Sequence, residues 1–147
     1  MIQVTEYNIE FSIFSIALQS FLASSHPNLI VETRFIKQRG DIASITFEQA
    51  RRLGEPIEQA LEMANQILYL NLRFSIYDTI KNILWEEFEG DIPEYAFDDM
   101  ALDFCHKFSH ITSRYDLTDD FEQSDEYNQL YTELTGAILI SLNEYGI

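Results

Sequence analysis

The chain has 147 residues, with 11 Phe, eight Tyr, three Pro, five Gly and a single cysteine, and its formal net charge is −16. The aromatic content argues against a disordered chain, the lone cysteine excludes an internal disulfide, and the charge disfavours direct contact with a nucleic-acid backbone. A chain of this length buries roughly 70% of the surface that its unfolded form exposes, and the scarcity of Pro and Gly favours long helices.

The first helix is expected to begin after Thr5, which can cap it, and to end near Ser24. Pro27 stops it, because proline disfavours helical geometry in the residue before it. Residues 1–4 are expected to form a short extended arm. The apolar stripe of this helix consists of Phe11, Phe14, Ala17, Leu18, Phe21 and Leu22.

A second helix is expected from Asn28 to Arg39, followed by a break or bend at Gly40 and Asp41 and by a helical stretch up to Gly54. Its inward residues would be Leu29, Phe35 and Ile36. This region is the one basic part of the chain, and its basic residues are Arg34, Lys37, Arg39, Arg51 and Arg52. They can pair with the acidic half of the same molecule or of a neighbour.

Pro56 opens the next helix, since a proline in the first turn loses no hydrogen bond. The apolar pattern continues from Ile57 to Leu72, and the small residues Ala60 and Ala64 would let another helix approach closely. This helix and the one that follows it are expected to form an antiparallel hairpin.

The stretch from Phe74 to Gly90 has the clearest helical signals in the sequence. Ser75 precedes Asp78 by the three residues of a capping box, and Gly90 can adopt the left-handed conformation that ends a helix. Apolar residues recur at helical spacing between them: Tyr77, Ile80, Ile83, Leu84 and Phe88. We expect this helix to be central and buried.

A helix is then expected from Pro93 to about Arg114, and the polar, acidic residues 116–125 that follow it are expected to form a loop. The apolar stripe of the helix is Phe97, Ala101, Phe104, Phe108, Ile111 and Tyr115.

Ser124 or Asp125 can cap the last helix, and the tail from residue 143 to residue 147 is expected to fray. Gly136 weakens this helix, which indicates a close contact with another element there. The apolar stripe is Tyr127, Leu130, Tyr131, Leu134, Ile138 and Leu142.

Because no segment alternates polar and apolar residues over a useful length, no sheet is predicted. The fold class is all-α: a single domain over residues 1–147, with six or seven helices in an irregular array.

The strongest candidate for chemistry is a set of residues at steps of four, three and four, which places them on one helical stripe: Asp99, Asp103, His106 and His110. Such a stripe can bind a divalent transition metal, and a metal-dependent hydrolase is the enzyme alternative. The stripe lies opposite the apolar face of the same helix, so a solvated face is the favoured interpretation. We predict no metal and no cofactor.

Other features also point away from catalysis. Cys105 has no signature of a nucleophile, and we expect an inert, partly buried thiol. The sequence contains no Walker A loop, no glycine-rich dinucleotide motif and no HExxH. Glu86, Glu87 and Glu89 lie near the C-terminus of the central helix, where the dipole disfavours negative charge, so an arginine from residues 34–52 is expected to meet them. We therefore predict a protein without enzymatic activity.

The negative charge is concentrated in the second half of the chain. Residues 1–85 contain nine acidic and seven basic side chains, whereas residues 86–147 contain 16 acidic and two basic. Solubility is the simpler interpretation, and attraction to a basic protein surface is the functional one. The glycine spacing of an EF-hand is missing from the acidic loop. Its candidate partner-binding residues are Asp116, Asp119, Asp120, Glu122, Asp125 and Glu126.

We expect no contact with a membrane, because no apolar run approaches the roughly 20 residues that span a bilayer. Glu6 and Glu10 precede the apolar run Phe11–Ala23, which argues against a signal peptide. Together with the lone cysteine, this favours a cytoplasmic location.

The sequence FSIYDTIKNILWEEF from Phe74 to Phe88, followed by YTELTG at Tyr131 to Gly136, resembles an uncharacterised bacterial family, domain of unknown function eighteen ninety-six. SHPNL at Ser25 to Leu29 and FEQAR at Phe47 to Arg51 are also similar to it. The resemblance covers nearly the whole chain. It implies a compact all-helical protein, often encoded near mobile-element genes, and it assigns no activity or catalytic residue.

The resulting hypothesis is a non-enzymatic helical protein that binds another protein with a basic surface through its acidic second half. A nucleic-acid mimic, in which carboxylates occupy the DNA site of a DNA-binding protein, is the sharper alternative. A homo-oligomer remains open, since the basic region of one chain could meet the acidic half of another.

Overall fold

The computed structural model describes residues 12–29 and 31–144 of the chain. These residues form seven α-helices and two short 3₁₀ helices, with an isolated bridge between Glu89 and Ile92 and no strand among them. The predicted all-α fold is confirmed. The α-helices are α1 (Ile13–Ser25), α2 (Thr33–Arg52), α3 (Ile57–Leu68), α4 (Ile76–Glu87), α5 (Phe97–Lys107), α6 (Ser109–Thr112) and α7 (Asp125–Glu144), and the 3₁₀ helices are Glu94–Ala96 and Phe121–Gln123.

Contacts along the chain divide it into two compact units. Of the described residues, the first unit contains 12–24, 29 and 31–70, with α1, α2 and α3. The second unit contains 25–28 and 71–144, with α4 to α7. The single domain over residues 1–147 stays a prediction. The predicted arm, the Thr5 cap, Phe11 and the last three residues of the tail lie outside the described residues.

In the first unit, α2 and α3 form an antiparallel hairpin. Arg39, near the start of α2, donates from Nη1 to three carbonyl oxygens at the end of α3, each at 3.1 Å: those of Ile67, Leu68 and Leu70. The last carbonyls of a helix have no partner within it, so this guanidinium group acts as the C-terminal cap of α3. The central carbon of the Arg39 guanidinium group, Cζ, also lies 4.8 Å from the centre of the Phe35 ring.

Small side chains separate the two helices of the hairpin: Ala43, Ala50, Ala60 and Ala64 are all buried. The prediction that Ala60 and Ala64 allow a close approach is therefore confirmed, but the predicted hairpin of α3 with α4 is wrong. The partner of α3 is α2, and α4 belongs to the second unit.

Helix α2 is continuous through Gly40, so the expected break at that residue is wrong, and the helix begins at Thr33 rather than at Asn28. A Cβ atom at Gly40 would lie 1.9 Å from Ser15 Oγ and 2.9 Å from Ser15 Cα. The glycine is required because α1 packs directly on the α2 backbone at this point. Ser15 is buried there, and its hydroxyl donates to the carbonyl oxygen of Ile36 at 3.4 Å.

The described part of α1 is capped by Ser12, whose Oγ accepts the N–H of Ser15 at 3.1 Å. Leu18 and Leu22 of the predicted stripe are buried, whereas Ala17 is exposed. Leu29, predicted to point inward, is also exposed. The two errors have different causes. On α1 a buried serine, Ser15, occupies an inward position that a hydrophobic pattern does not include, and Leu29 precedes α2, which begins at Thr33.

In the second unit, α4 packs against α5 and α7. The whole predicted stripe of α4 is buried, Ser75 Oγ accepts the N–H of Asp78 at 3.0 Å, and Gly90 has a φ of 92°. The central helix, its cap and its glycine terminus are thus confirmed. The core of this unit extends from Phe74 to Leu142.

Residues 25–28 hold the N-terminal end of α4 within the second unit. The Ser75 hydroxyl donates to the carbonyl oxygen of Ser25, and Nε2 of the buried His26 lies 2.6 Å from the carbonyl oxygen of Leu72. The connection after α1 is therefore a structural part of the second unit.

The helix predicted from Pro93 to Arg114 is divided into a 3₁₀ helix, α5 and α6. The division between α5 and α6 falls at Phe108, whose ring stacks on that of Phe104 at 5.2 Å between centroids. The predicted apolar stripe is buried up to Ile111, because the short interruption does not change which face of the chain is inward.

Helix α7 buries the predicted residues Leu130, Leu134, Ile138 and Leu142. The close contact expected at Gly136 is wrong: Gly136 is exposed, and a Cβ atom there would meet no described atom within 4 Å.

The two helical glycines give a matched test. Gly40→Ala should lower the free energy of unfolding by about 2–3 kcal/mol, since the new methyl group overlaps Ser15. Gly136→Ala should raise it by about 0.5–1 kcal/mol, because alanine in an exposed helix has less conformational freedom to lose than glycine. Urea unfolding followed by circular dichroism measures both. Equal effects of the two substitutions would contradict the proposed α1–α2 contact.

Candidate functional site

The acidic segment, residues Asp116–Glu126, connects α6 to α7 on the second unit. Five of its six candidate residues are exposed: Asp116, Asp120, Glu122, Asp125 and Glu126. Asp119 differs, because its side chain is only 20% exposed. The structure thus brings five predicted carboxylates to one exposed stretch of chain, and their role in partner binding stays a prediction.

Phe121 attaches the acidic segment to the core. Its side chain is 2% exposed, and its ring lies 4.9 Å from that of Phe74 and 5.9 Å from that of Tyr115, centroid to centroid. Both ring pairs are edge-to-face, a favourable geometry for aromatic rings. The predicted loop is therefore anchored to the core, and it contains one short 3₁₀ helix, Phe121–Gln123.

Asp119 fixes the segment at a second point. Its carboxylate accepts the backbone N–H of Asn71 at 2.9 Å and that of Arg73 at 3.0 Å, and it lies 3.7 Å from the Arg73 guanidinium group. Asn71 has a positive φ of 61°, which turns the chain at this point. Asp119 is thus a structural acceptor for the link that leads into α4.

The basic groups of the acidic half are engaged within the unit. Lys107 donates to Ser141 Oγ at 2.7 Å, and Arg114 pairs with Glu133 at 2.7 Å. Lys81 of α4 pairs with Asp98 at 2.9 Å, which raises the Lys81 pKa. Within residues 71–144, only three carboxylates form an ion pair with a described lysine or arginine: Asp98, Asp119 and Glu133.

Two tyrosines meet carboxylates at the surface of α7. Tyr115 donates its hydroxyl to Glu133, which raises the pKa of Tyr115 and, together with Arg114, lowers that of Glu133. Tyr131 donates to Glu86 at 3.2 Å and to Glu87 at 3.0 Å. Burial, followed by these carboxylates, raises the Tyr131 pKa.

The Tyr131 contact corrects one expectation. Glu86 and Glu87 were expected to meet an arginine of residues 34–52, but the described contact of both is a tyrosine hydroxyl. A neutral donor satisfies an oxygen atom without cancelling its charge, so both carboxylates add to the negative potential of this unit.

A pocket of 310 Å³ opens beside the N-terminal half of α4. Ser75, Asp78, Thr79 and Asn82 line it from one face of α4, and Glu122 and Tyr127 line it from later in the chain. Arg73 and Phe74 complete the lining. Below, this cavity is called the α4 pocket. Partial burial raises the pKa of Asp78, against the effects of Lys81 and His26, which lower it.

The candidate metal residues do not form a built site. Asp99, Asp103, His106 and His110 are all exposed, and α5 ends at Lys107, before His110. No three His, Cys, Asp or Glu side chains in the described chain come together as metal ligands. Cys105 is 6% exposed and burial raises its pKa to about 12. The thiol is therefore buried more fully than expected, and its inertness stays a prediction.

Sequence reasoning missed Phe121 and Asn82, and it assigned Asp119 to partner binding without its structural role. A single aromatic residue in an otherwise acidic run was an available signal for the Phe121 anchor. Nothing in the sequence distinguished Asp119 from Asp120, because its role depends on backbone N–H groups 46 and 48 residues away. Asn82 lies in the predicted helix, but the other residues that line the pocket include Glu122 and Tyr127, which are distant in the sequence.

Asp119→Ala should lower the free energy of unfolding by about 1–2 kcal/mol, because the backbone N–H groups of Asn71 and Arg73 lose their acceptor. Asp120→Ala, which removes an exposed neighbouring carboxylate, is the matched control and should change it by less than about 0.5 kcal/mol. Urea unfolding measures both, and hydrogen exchange should become faster at the amides of Asn71 and Arg73 in the first variant alone. Equal destabilisation by both variants would exclude the structural role of Asp119.

The Glu133 contact gives a dependence on pH. A carboxyl whose pKa is lowered by folding stabilises the fold above its ordinary value of 4.5, and this contribution is lost as the pH falls through the folded-state pKa. Tyr115→Phe should therefore raise the Glu133 pKa, measured by carboxyl NMR, and reduce the loss of stability below about pH 4.5.

The control for this titration is Tyr95→Phe, which removes the hydroxyl of an exposed tyrosine. It should leave the Glu133 titration unchanged. An identical Glu133 titration curve in wild type and Tyr115→Phe would rule out the Tyr115 hydrogen bond as the cause of the lowered pKa.

None of the described helices is both long and apolar enough to cross a lipid bilayer. A family model described as a domain of unknown function (DUF1896) matches residues 6–147. Among solved structures, that of protein PG0816 from Porphyromonas gingivalis is similar, with 36% sequence identity, a TM-score of 0.83 and 90% of each chain covered. Among curated proteins nothing matches. The family resemblance read from the sequence is confirmed, and the chain belongs to the DUF1896 family, a domain of unknown function.

Proposed function

We propose that this protein is a non-enzymatic binding protein whose acidic second unit contacts a basic surface of another protein. One observation carries the proposal: the second unit contains 17 acidic and four basic side chains, and the basic groups are already used within it. Most carboxylates of residues 86–144 are exposed, with no lysine or arginine of the described chain within 4 Å.

The physical argument concerns what such a surface attracts. Clustered carboxylates repel one another, and a basic partner relieves that repulsion while it speeds association through long-range attraction. The acidic segment is suited to this contact because Phe121 and Asp119 hold it in place. An anchored segment loses less conformational entropy on binding than a flexible loop does.

The placement of the chemically reactive groups supports a non-enzymatic role. The Cys105 thiol is buried and protonated at neutral pH, and the two histidines of the candidate metal stripe are in solvent. A single thiol of this kind also supports an action in the cytoplasm, where thiols stay reduced.

The partner can be a DNA-binding protein, in which case the exposed carboxylates would take the place of phosphates. This is the nucleic-acid-mimic form of the same proposal, and it agrees with a role as an accessory of a mobile element. Excess duplex DNA should then compete with the protein for its partner. A second copy of the chain is the other candidate, and sedimentation at low and high salt distinguishes self-association from a foreign partner.

The test is a comparison of two variants with equal changes of charge. The first, Asp116→Asn with Asp120→Asn, Asp125→Asn and Glu126→Gln, neutralises the acidic segment but leaves Asp119 and Glu122 intact. The second, Asp91→Asn with Glu94→Gln, Asp99→Asn and Asp103→Asn, neutralises four exposed carboxylates elsewhere on the same unit. A partner captured from nuclease-treated lysate and identified by mass spectrometry is then titrated against both.

The segment variant should raise the Kd of that partner by about 10- to 100-fold, since each of four exposed charge pairs contributes about 0.2–1 kcal/mol. The control variant should raise it by less than about threefold, and added salt should weaken wild-type binding more than segment-variant binding. Equal losses in both variants, or no loss in either, would reject the acidic segment as the contact surface.

A further inference from the structure

We propose that the α4 pocket binds the guanidinium group of an arginine side chain. The inference rests on the proposed function and identifies one specific contact within it: the partner inserts an arginine between α4 and the start of α7. The 310 Å³ of the pocket is sufficient for one side chain, and the pocket lies directly beside the acidic segment, which supplies Glu122 to its wall.

Some hydrogen-bonding groups of the pocket already have partners within the described chain, and others do not. The Ser75 hydroxyl donates to the carbonyl oxygen of Ser25 and accepts the Asp78 N–H, and the Thr79 hydroxyl donates to the carbonyl oxygen of Ser75 at 2.8 Å. Both hydroxyls are therefore already used within the first turns of α4. The Asn82 amide and the Glu122 carboxylate have no hydrogen bond or ion pair within the described chain, so they remain available to a ligand.

The available groups are mainly acceptors that come from two separate segments. Asp78 and Asn82 lie one helical turn apart on α4, and Glu122 joins the same lining from the 3₁₀ helix Phe121–Gln123. A guanidinium group is planar, permanently charged and carries five N–H donors, so it can donate to several acceptors at once. A lysine ammonium has three donors at a single point and matches acceptors from separate segments less well.

Aromatic rings favour the same ligand. The rings of Phe74 and Tyr127 line the pocket and meet edge-to-face, with centroids 6.1 Å apart and an interplanar angle of 88°. A guanidinium plane stacks on a tyrosine face and is attracted by its quadrupole. The one cation of the lining, Arg73, lies at 3.7 Å from Asp119, so its charge is offset by that carboxylate.

The raised pKa of Asp78 indicates that the nearby positive charges do not offset the cost of burying its carboxylate. Its carboxyl is partly buried, and this burial outweighs Lys81 and His26 in setting the direction of its pKa shift. A bound guanidinium group would supply the charge that favours the ionised form. Arginine binding should thus lower the Asp78 pKa, an effect that a neutral ligand of the same shape would not produce.

The experiment is an NMR titration of the full chain with N-acetyl-arginine amide, with N-acetyl-citrulline amide as the neutral isostere. We expect saturable shifts of the Asn82 side-chain amide and of the Asp78 and Thr79 backbone amides with the arginine probe alone. The Kd should be on the order of 1 mM, as is usual for so small a ligand. Asp78→Asn and Glu122→Gln should each weaken binding by about tenfold or more.

Asp116→Asn removes an exposed carboxylate outside the pocket and should change the Kd by less than about twofold. Backbone spectra of each variant show whether the core is intact. The assignment is overturned if the pocket amides do not shift, if citrulline shifts them equally, or if Asp78→Asn and Glu122→Gln bind the probe as well as Asp116→Asn does.

The failures of the two proposals are distinguishable, because the four-site segment variant leaves every lining residue of the pocket unchanged. If the segment variant loses partner binding but the wild-type protein does not bind arginine, only the pocket inference is rejected. If the wild-type protein binds arginine but the segment variant binds the partner normally, the acidic-segment proposal is rejected and the pocket remains as a site.

Discussion

The second unit depends on how Ser75 holds the N-terminus of α4. A helix begins with backbone N–H groups that no residue of the helix can satisfy, and a buried start makes each of them costly. Ser75 is buried and acts in two directions: it accepts the Asp78 N–H and donates to the carbonyl oxygen of Ser25. The same hydroxyl thus caps α4 and joins it to residues 25–28. The orientation of α4 in turn determines which side chains enter the core and which line the α4 pocket.

The acidic half shows how a strongly charged chain remains folded. Its core is made of large apolar side chains of α4, α5 and α7, and the carboxylates are placed outside it. Within the described chain, the acidic segment is joined to this core by Phe121 and to the link before α4 by Asp119. Phe121, which is buried, and Asp119, which is half-buried, therefore hold in place a stretch whose other carboxylates are exposed.

The sequence predicted the features that depend on neighbouring residues. The α4 stripe, its serine cap and the left-handed glycine at its end follow from periodicity and short motifs, and all three are correct. The features that depend on distant residues were not predictable in this way. Gly40 resembled a helix break, yet its missing side chain makes room for Ser15, which lies 25 positions earlier. Gly136 resembled a packing site but is exposed, since a glycine in a sequence carries no sign of what is close to it. Likewise, Asn82 and Glu122 both line the α4 pocket but are 40 residues apart in the chain, so composition and local spacing contained no signal for it.

The Arg39 cap of α3 makes the two units differ in their chemical sensitivity. An arginine stays protonated over the whole range in which proteins fold, so the three carbonyl contacts that close the α2–α3 hairpin do not respond to acid. The Tyr115 contact at the surface of α7 involves Glu133, whose pKa is lowered by the Tyr115 and Arg114 hydrogen bonds. Acidification through that pKa therefore removes a stabilising contact of the second unit, while the cap of the hairpin in the first unit persists.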